Sequence, residues 1–196
     1  MDTRDAYLLT CDPNSERAIF SENILKEIGF NVKFITCIPH KNNVLSNKIS
    51  MQYIYKLVKN SHDEFSYIFE DDINVLEQIK LEEIIQYEKL SEMFFYLGLC
   101  EYKKNANLTE NKINGHNVYS ITGGIRGLHA IGLSKKGAEK LLEFSENNNE
   151  IYMDVILEQF SLKYPSICVR YDLESYIYGH KGIIFQDRKR FASQIG

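Results

Sequence analysis

Tyr67-Ile68-Phe69-Glu70-Asp71-Asp72-Ile73 is a short apolar run that stops on three consecutive carboxylates. Its aromatic and β-branched residues read as a buried strand. Acids at the end of such a strand are costly, because adjacent like charges repel beside a desolvated sheet. A divalent cation removes that cost, since hard cations take oxygen ligands and bridge protein carboxylates to phosphates. The carboxyl end of a strand in an α/β sheet is also where ligands bind. Two readings therefore stand at this point: a metal–phosphate site, or an acidic turn solvated at the surface.

The flanking chain supplies an alternation of strands and helices. Residues 5–11 include Ala-Tyr-Leu-Leu-Thr-Cys, a run suited to a strand buried on both faces of a parallel sheet. After the turn at Asp12-Pro13-Asn14-Ser15, Ile19, Phe20, Ile24, Leu25 and Ile28 recur at helical spacing until Gly29. Residues 31–38 form a second strand closed by Pro39, and 46–60 a second helix. A helix around 81–91, a strand at 94–100, a helix from Lys135 capped by Ser134, a short helix from Met153 and a strand near 167–169 follow. The glycine-rich segment Gly123-Gly124-Ile125-Arg126-Gly127 separates two strand-like runs. It is either a hairpin turn or a place where a sugar approaches the backbone. The pattern predicts one α/β domain over 1–196, an open, mixed, mostly parallel sheet flanked by helices. The polar, Asn- and Lys-rich stretch 101–117 reads as a mobile loop, and 179–196, with Arg188-Lys189-Arg190, as a C-terminal lid.

The formal charge of −4 argues against a protein whose main work is neutralising nucleic-acid phosphates. No apolar run reaches membrane-spanning length and no secretory h-region opens the chain, so the expected location is cytoplasmic. Cys11, Cys37, Cys100 and Cys168 are widely spaced without a Cys-x-x-Cys pair, and neither a zinc site nor a disulfide framework is expected.

Several segments carry a more specific signal. Phe69-Glu70-Asp71-Asp72-Ile73 resembles the strand-end acidic motif of glycosyltransferase family 25, which includes bacterial lipooligosaccharide glycosyltransferases and procollagen galactosyltransferases. The run from Gly127 to Leu142 resembles the same family's glycine, strand and Ser-x-x-Gly-Ala-x-x-Leu-Leu segment. Leu8 to Arg17 is similar to its opening strand and following arginine, and Asp154 stands where the family has an aspartate. Ile49-Ser50-Met51-Gln52 lacks the Ser-His that bacterial members often carry. The resemblance implies a GT-A fold, a nucleotide-sugar donor (usually UDP-linked) and inversion at the anomeric carbon. The acceptor would be a glycan or glycoprotein hydroxyl.

In a metal-dependent transfer the cation, Mn2+ or Mg2+, neutralises the departing diphosphate. Asp72 is the expected direct ligand, with Asp71 or Glu70 acting through the ribose or a metal-bound water, because neighbours in an extended chain point to opposite sides. Thr10 and Arg17, at the end of the first strand and the start of the first helix, are expected against the nucleotide. His180 in Tyr178-Gly179-His180-Lys181-Gly182 is read as a further metal ligand, and Lys181 as a diphosphate contact. Inversion needs a base that takes the acceptor proton, and Asp154 is assigned that role against the alternative of a plain helix cap. A nucleotidyltransferase of related fold is the competing enzyme class. It would ordinarily place a glycine-rich basic loop after the first strand, and Thr10-Cys11-Asp12-Pro13-Asn14 offers none. A non-catalytic carbohydrate-binding relative is the third.

Overall fold

In the computed structural model, which describes residues 3–192, each apolar run of the first half becomes a strand next to a helix of matching amphipathicity. The chain runs β1 (Asp5–Thr10), α1 (Glu16–Ile28), β2 (Asn31–Thr36), α2 (Asn43–Lys59), β3 (Phe65–Glu70), β4 (Ile73–Val75) and α3 (Leu81–Glu88). It continues through β5 (Phe94–Glu101), β6 (Ala106–Ile113), β7 (His116–Ile121), β8 (Ile125–Ser134), α4 (Lys135–Glu146) and α5 (Met153–Lys163). Three short strands, β9 (Ser166–Cys168), β10 (His180–Gly182) and β11 (Ile184–Gln186), complete it.

Helix boundaries follow from local chemistry. Ser15 Oγ accepts from the Ala18 N–H at the start of α1, and Gly29, at φ 117°, closes the helix by donating its N–H to Leu25 O. Asn42 caps α2 through the N–H groups of Val44 and Leu45, and Ser134 caps α4 through Gly137.

The main sheet has the order β2-β1-β3-β8-β5-β9-β7-β6, with β10 added beside β5. β1 pairs in parallel with both β2 and β3, and β5 in parallel with β9. β8 runs antiparallel to β3 and β5, so the sheet is mixed with most strands pointing one way. Because successive strand residues face opposite sides, the core splits into two layers. Leu8, Tyr67, Phe69 and Phe95 face α1 and α3, where Leu25, Ile28, Leu81 and Ile84 are buried. Leu9, Ile68, Tyr96 and Ile131 face α2, α4 and α5, packing on Ile54, Leu141 and Phe160. The expected α/β architecture, an open mixed sheet flanked by helices, is the architecture observed.

Two local readings differ. The stretch 101–117, expected as an open loop, carries β6 and the turn into β7, which pair antiparallel. Its polar residues are those of an exposed edge strand, which needs no apolar run. The glycine-rich segment 123–127 is not a hairpin turn, because β7 pairs with β6 and β9 while β8 pairs with β3 and β5. The chain crosses there to the middle of the sheet. Of the expected 179–196 lid, residues 193–196 lie outside the described residues.

One glycine is demanded by packing. A Cβ on Gly98 in β5 would come within 1.8 Å of Ile184 O and 2.6 Å of His129 Nε2. Only a bare backbone lets β11 lie this close to the sheet.

Candidate active site

β3 ends at Glu70 and the chain turns at Asp71 and Asp72 before β4. β4 pairs antiparallel with β11, and this small ladder returns the C-terminal segment to the acids: the Asp187 N–H donates to Asp72 O at 2.7 Å. Asp71 and Asp72 are 5% and 2% exposed, so a solvated acidic turn is excluded.

The turn brings both carboxylates to one guanidinium, with Arg17 Nη2 2.7 Å from Asp71 Oδ1 and 3.4 Å from Asp72 Oδ2. Asp71 Oδ2 accepts from Thr10 Oγ1 at 2.5 Å, and Asp71 Oδ1 from Arg17 Nε at 2.8 Å. Asp72 Oδ2 lies 2.9 Å from Arg188 Nη1 and 3.4 Å from Arg17 Nη2. Gln186 Nε2 donates to Glu70 Oε2 at 2.8 Å and reaches Asp72 Oδ1 at 3.5 Å. Arg17 also donates to Ala192 O at 3.0 Å, tying α1 to the same C-terminal segment. Thr10, Arg17, Glu70, Asp71 and Asp72 are thus one cluster at the carboxyl ends of β1 and β3.

Desolvation shifts two of these acids, Glu70 and Asp72. It pushes the Glu70 carboxyl up to about 8, with Asp72 adding to the rise and Arg188 opposing it. The protonated form of Glu70, which can donate, is thus favoured relative to an ordinary glutamate. Burial also raises Asp72, against the pull of Arg188 and Arg17. Two guanidinium groups, rather than water, hold the negative charge in place.

A cavity of about 480 Å³ opens over the cluster, lined by Thr10, Arg17, the three acids and Arg188, with Arg126, His129 and Asp154 also on its walls. Asp154 stands in the first turn of α5, two residues after the N-cap Tyr152, and accepts from the Val155 N–H at 2.9 Å. It satisfies one free amide of the helix start without being the cap. Glu150 is taken up in the preceding loop, accepting from the Ile151 and Tyr152 N–H groups. His129 is 1% exposed, and its Nε2 lies 3.4 Å from Ile184 O while Nδ1 has no partner among the described residues. Burial, with His180 next in effect, lowers its pKa to about 3 and keeps it neutral.

The other two expected site residues are elsewhere. His180 Nε2 lies 3.1 Å from Cys100 Sγ, with its ring stacked on His129 at 5.7 Å. Lys181 pairs with Glu174 at 2.9 Å and does not line the cavity. The expected cation site of Asp72 and His180 does not fit this geometry. The oxygens of Asp71 and Asp72 face Thr10, Arg17, Arg188 and Gln186, and among the described residues no three His, Cys, Asp or Glu side chains are grouped to hold an ion. The β-strand pairing of β10 with β5 is the physical reason: it orients His180 towards Cys100.

Gln186 went unnoticed in the sequence, where a lone glutamine in a three-residue strand gives no signal. Arg188 was visible only as part of a basic lid, with no indication that its partner would be Asp72.

No family model and no curated protein sequence matches the chain. Among solved structures, UDP-glucose pyrophosphorylase complexed with UDP-glucose aligns over 94% of this chain and 93% of its own, at TM-score 0.52 and 11% identity. That likeness is one of fold. Apo UDP-glucose pyrophosphorylase aligns over 88% of this chain and 65% of its own, at TM-score 0.41 and 11% identity. A protein from STIV aligns over 85% and 81%, at TM-score 0.45 and 11% identity.

Proposed function

We propose that the chain is a glycosyltransferase that moves a sugar from a nucleotide-sugar donor, with UDP as the nucleotide, to a glycan or protein hydroxyl, with inversion. The observation that carries this reading is the cavity itself. It sets Glu70 and the Arg17 and Arg188 guanidiniums at the strand ends, with Asp154 on the same cavity wall. The resemblance of the Glu70-Asp71-Asp72 and Gly127–Leu142 segments to glycosyltransferase family 25 supports the same assignment.

In this reading the guanidiniums offset charge on the departing diphosphate, a role in which preorganised cations are effective because they need no rearrangement during reaction. Glu70 donates its proton in a hydrogen bond to a phosphate oxygen. Asp154 takes the proton of the acceptor hydroxyl as that oxygen attacks the anomeric carbon from the face opposite the diphosphate.

Nucleotidyl transfer is the second reading, favoured by the fold likeness to UDP-glucose pyrophosphorylase. The absence of a glycine-rich basic loop in Thr10–Asn14 weighs against it. A panel of UDP- and GDP-sugars, with and without Mn2+ or Mg2+, tests both by thermal shift and product analysis. UDP and its sugars should raise Tm with increasing concentration, as mass action requires, and free UDP should form slowly by hydrolysis. Stabilisation by GDP or ATP but not UDP overturns the donor assignment. Formation of UTP from UDP-glucose and pyrophosphate replaces the first reading with the second.

A further inference from the structure

Cys11 and Cys37 are 26 residues apart in sequence, yet their Sγ atoms lie 2.9 Å apart. The sheet explains the meeting. Thr10 and Thr36 are the last register partners of the parallel β1–β2 pair, and the ladder continues one step further because the Cys37 N–H donates to Thr10 O at 2.9 Å. Cys11 and Cys37 are therefore opposite one another just past the strand ends. Adjacent strands lie about 4.8 Å apart, inside the roughly 4.4–6.8 Å Cα separation that a disulfide spans. Both residues line the cavity; Cys11 is exposed and Cys37 half-buried. The other two cysteines are apart from them, Cys100 beside His180 and Cys168 in the core.

We propose that Cys11 and Cys37 form a reversible disulfide at the rim of the cavity, made by exchange with a low-molecular-weight disulfide. The exposed Cys11, as thiolate, attacks one sulfur of the small disulfide, forming a mixed disulfide and releasing one small thiolate. Cys37 then gives up its proton to solvent and its sulfur attacks Cys11 Sγ. The mixed S–S bond breaks and the second small thiolate leaves, so the two protein thiols are oxidised while one small disulfide becomes two thiols. The order is fixed by access and acidity: burial, with the neighbouring Cys11 next, pushes the Cys37 thiol up to about 12, which makes it a poor first attacker. The product links the ends of β1 and β2 covalently, next to Thr10 and thus to the Asp71 hydrogen bond.

The inference does not depend on the proposed function, and its test needs no substrate. The full chain is incubated with oxidised glutathione, alkylated, and analysed by intact mass and peptide mapping. The expected product has lost two hydrogen atoms, carries a Cys11–Cys37 cross-linked peptide, and reverts on addition of dithiothreitol. Closing this loop should raise Tm by roughly 4–12 °C. Cys11→Ser and Cys37→Ser should each lose both the cross-link and the shift, while Cys100→Ser keeps them. A persistent glutathione adduct on Cys11 with Cys37 still alkylated overturns the proposal, as does a bridge that uses Cys100 or Cys168. The mapping of the unsubstituted chain decides the matter even if a serine variant fails to fold.

Discussion

Arg188 Nη1 rests 2.9 Å from Asp72 Oδ2, so a partly exposed guanidinium near the end of the chain neutralises an almost wholly buried carboxylate at the end of β3. The pairing of β4 with β11 makes this possible, because it returns residues 184–188 across the acids. Each partner removes a cost the other would carry alone.

Arg188→Gln should therefore destabilise the protein by about 1–3 kcal/mol, less than a fully buried pair because Arg188 remains partly solvated and Arg17 still faces Asp72. Asp72→Asn in the same chain should recover part of the loss, since it removes the charge left unpaired. Urea unfolding of the two single variants and the double variant measures this coupling. Strict additivity would mean that the ion pair contributes nothing.

Asp154→Asn should lower kcat by roughly 10²–10⁴-fold with donor affinity little changed, because a base is needed only in the transition state. Stability should hold, since an asparagine oxygen can still accept from the Val155 N–H. Turnover and UDP affinity measured on this variant separate the base from a helix-start role, which predicts unchanged activity.

The half-buried Glu70 and the buried His129 give pH dependences of opposite sign. Glu70 is raised from 4.5 to about 8, so the folded state holds a proton the unfolded state has lost, and stability falls as pH rises through that window. His129 is lowered from 6.5 to about 3, so the unfolded state binds the extra proton, and stability falls as pH drops from 6.5 towards 3. Glu70→Gln should flatten the Tm profile between about pH 6.5 and 8, and His129→Gln the profile below about 4.5, where only one of the two groups titrates differentially. Unchanged slopes in thermal melts across both windows would remove these groups from the balance.

Gly98→Ala should cost about 1–3 kcal/mol or more, because its Cβ would overlap Ile184 O. The displaced strand is β11, which carries Gln186 and leads into Arg188, so UDP affinity should fall along with Tm. A loss of Tm alone, with affinity intact, would show that the sheet absorbs the methyl group without moving the site.

The two-faced core was legible because burial on both sides leaves continuous apolar runs: β1 and β5 are read almost residue for residue, and β3 through its central Tyr67-Ile68-Phe69. The strand-end acids were legible too, since charge at the end of such a run is rare, and Arg17 was legible from its place at the start of the first helix. β6 was not, because an exposed edge strand alternates Asn, Thr, Glu and Lys and resembles a loop. Neither was the contact of Gln186 with Glu70, two residues 116 positions apart whose meeting depends on a pair of three-residue strands. His180 shows the converse: its glycine-flanked setting suggested a mobile ligand, whereas those glycines fit it into β10 against β5.

An open sheet has two outer strands, here β2 and β6, and each offers unpaired backbone to another molecule. Lys33 in β2, and Glu110 and Lys112 in β6, are exposed along those margins, so an incoming strand would have to strip water from charge before it could bond. The composition that hid β6 as a strand is thus its protection against self-association. Replacing Glu110 and Lys112 with valine would extend the exposed Leu108 into an apolar ribbon, and the same hairpin would become a template for aggregation.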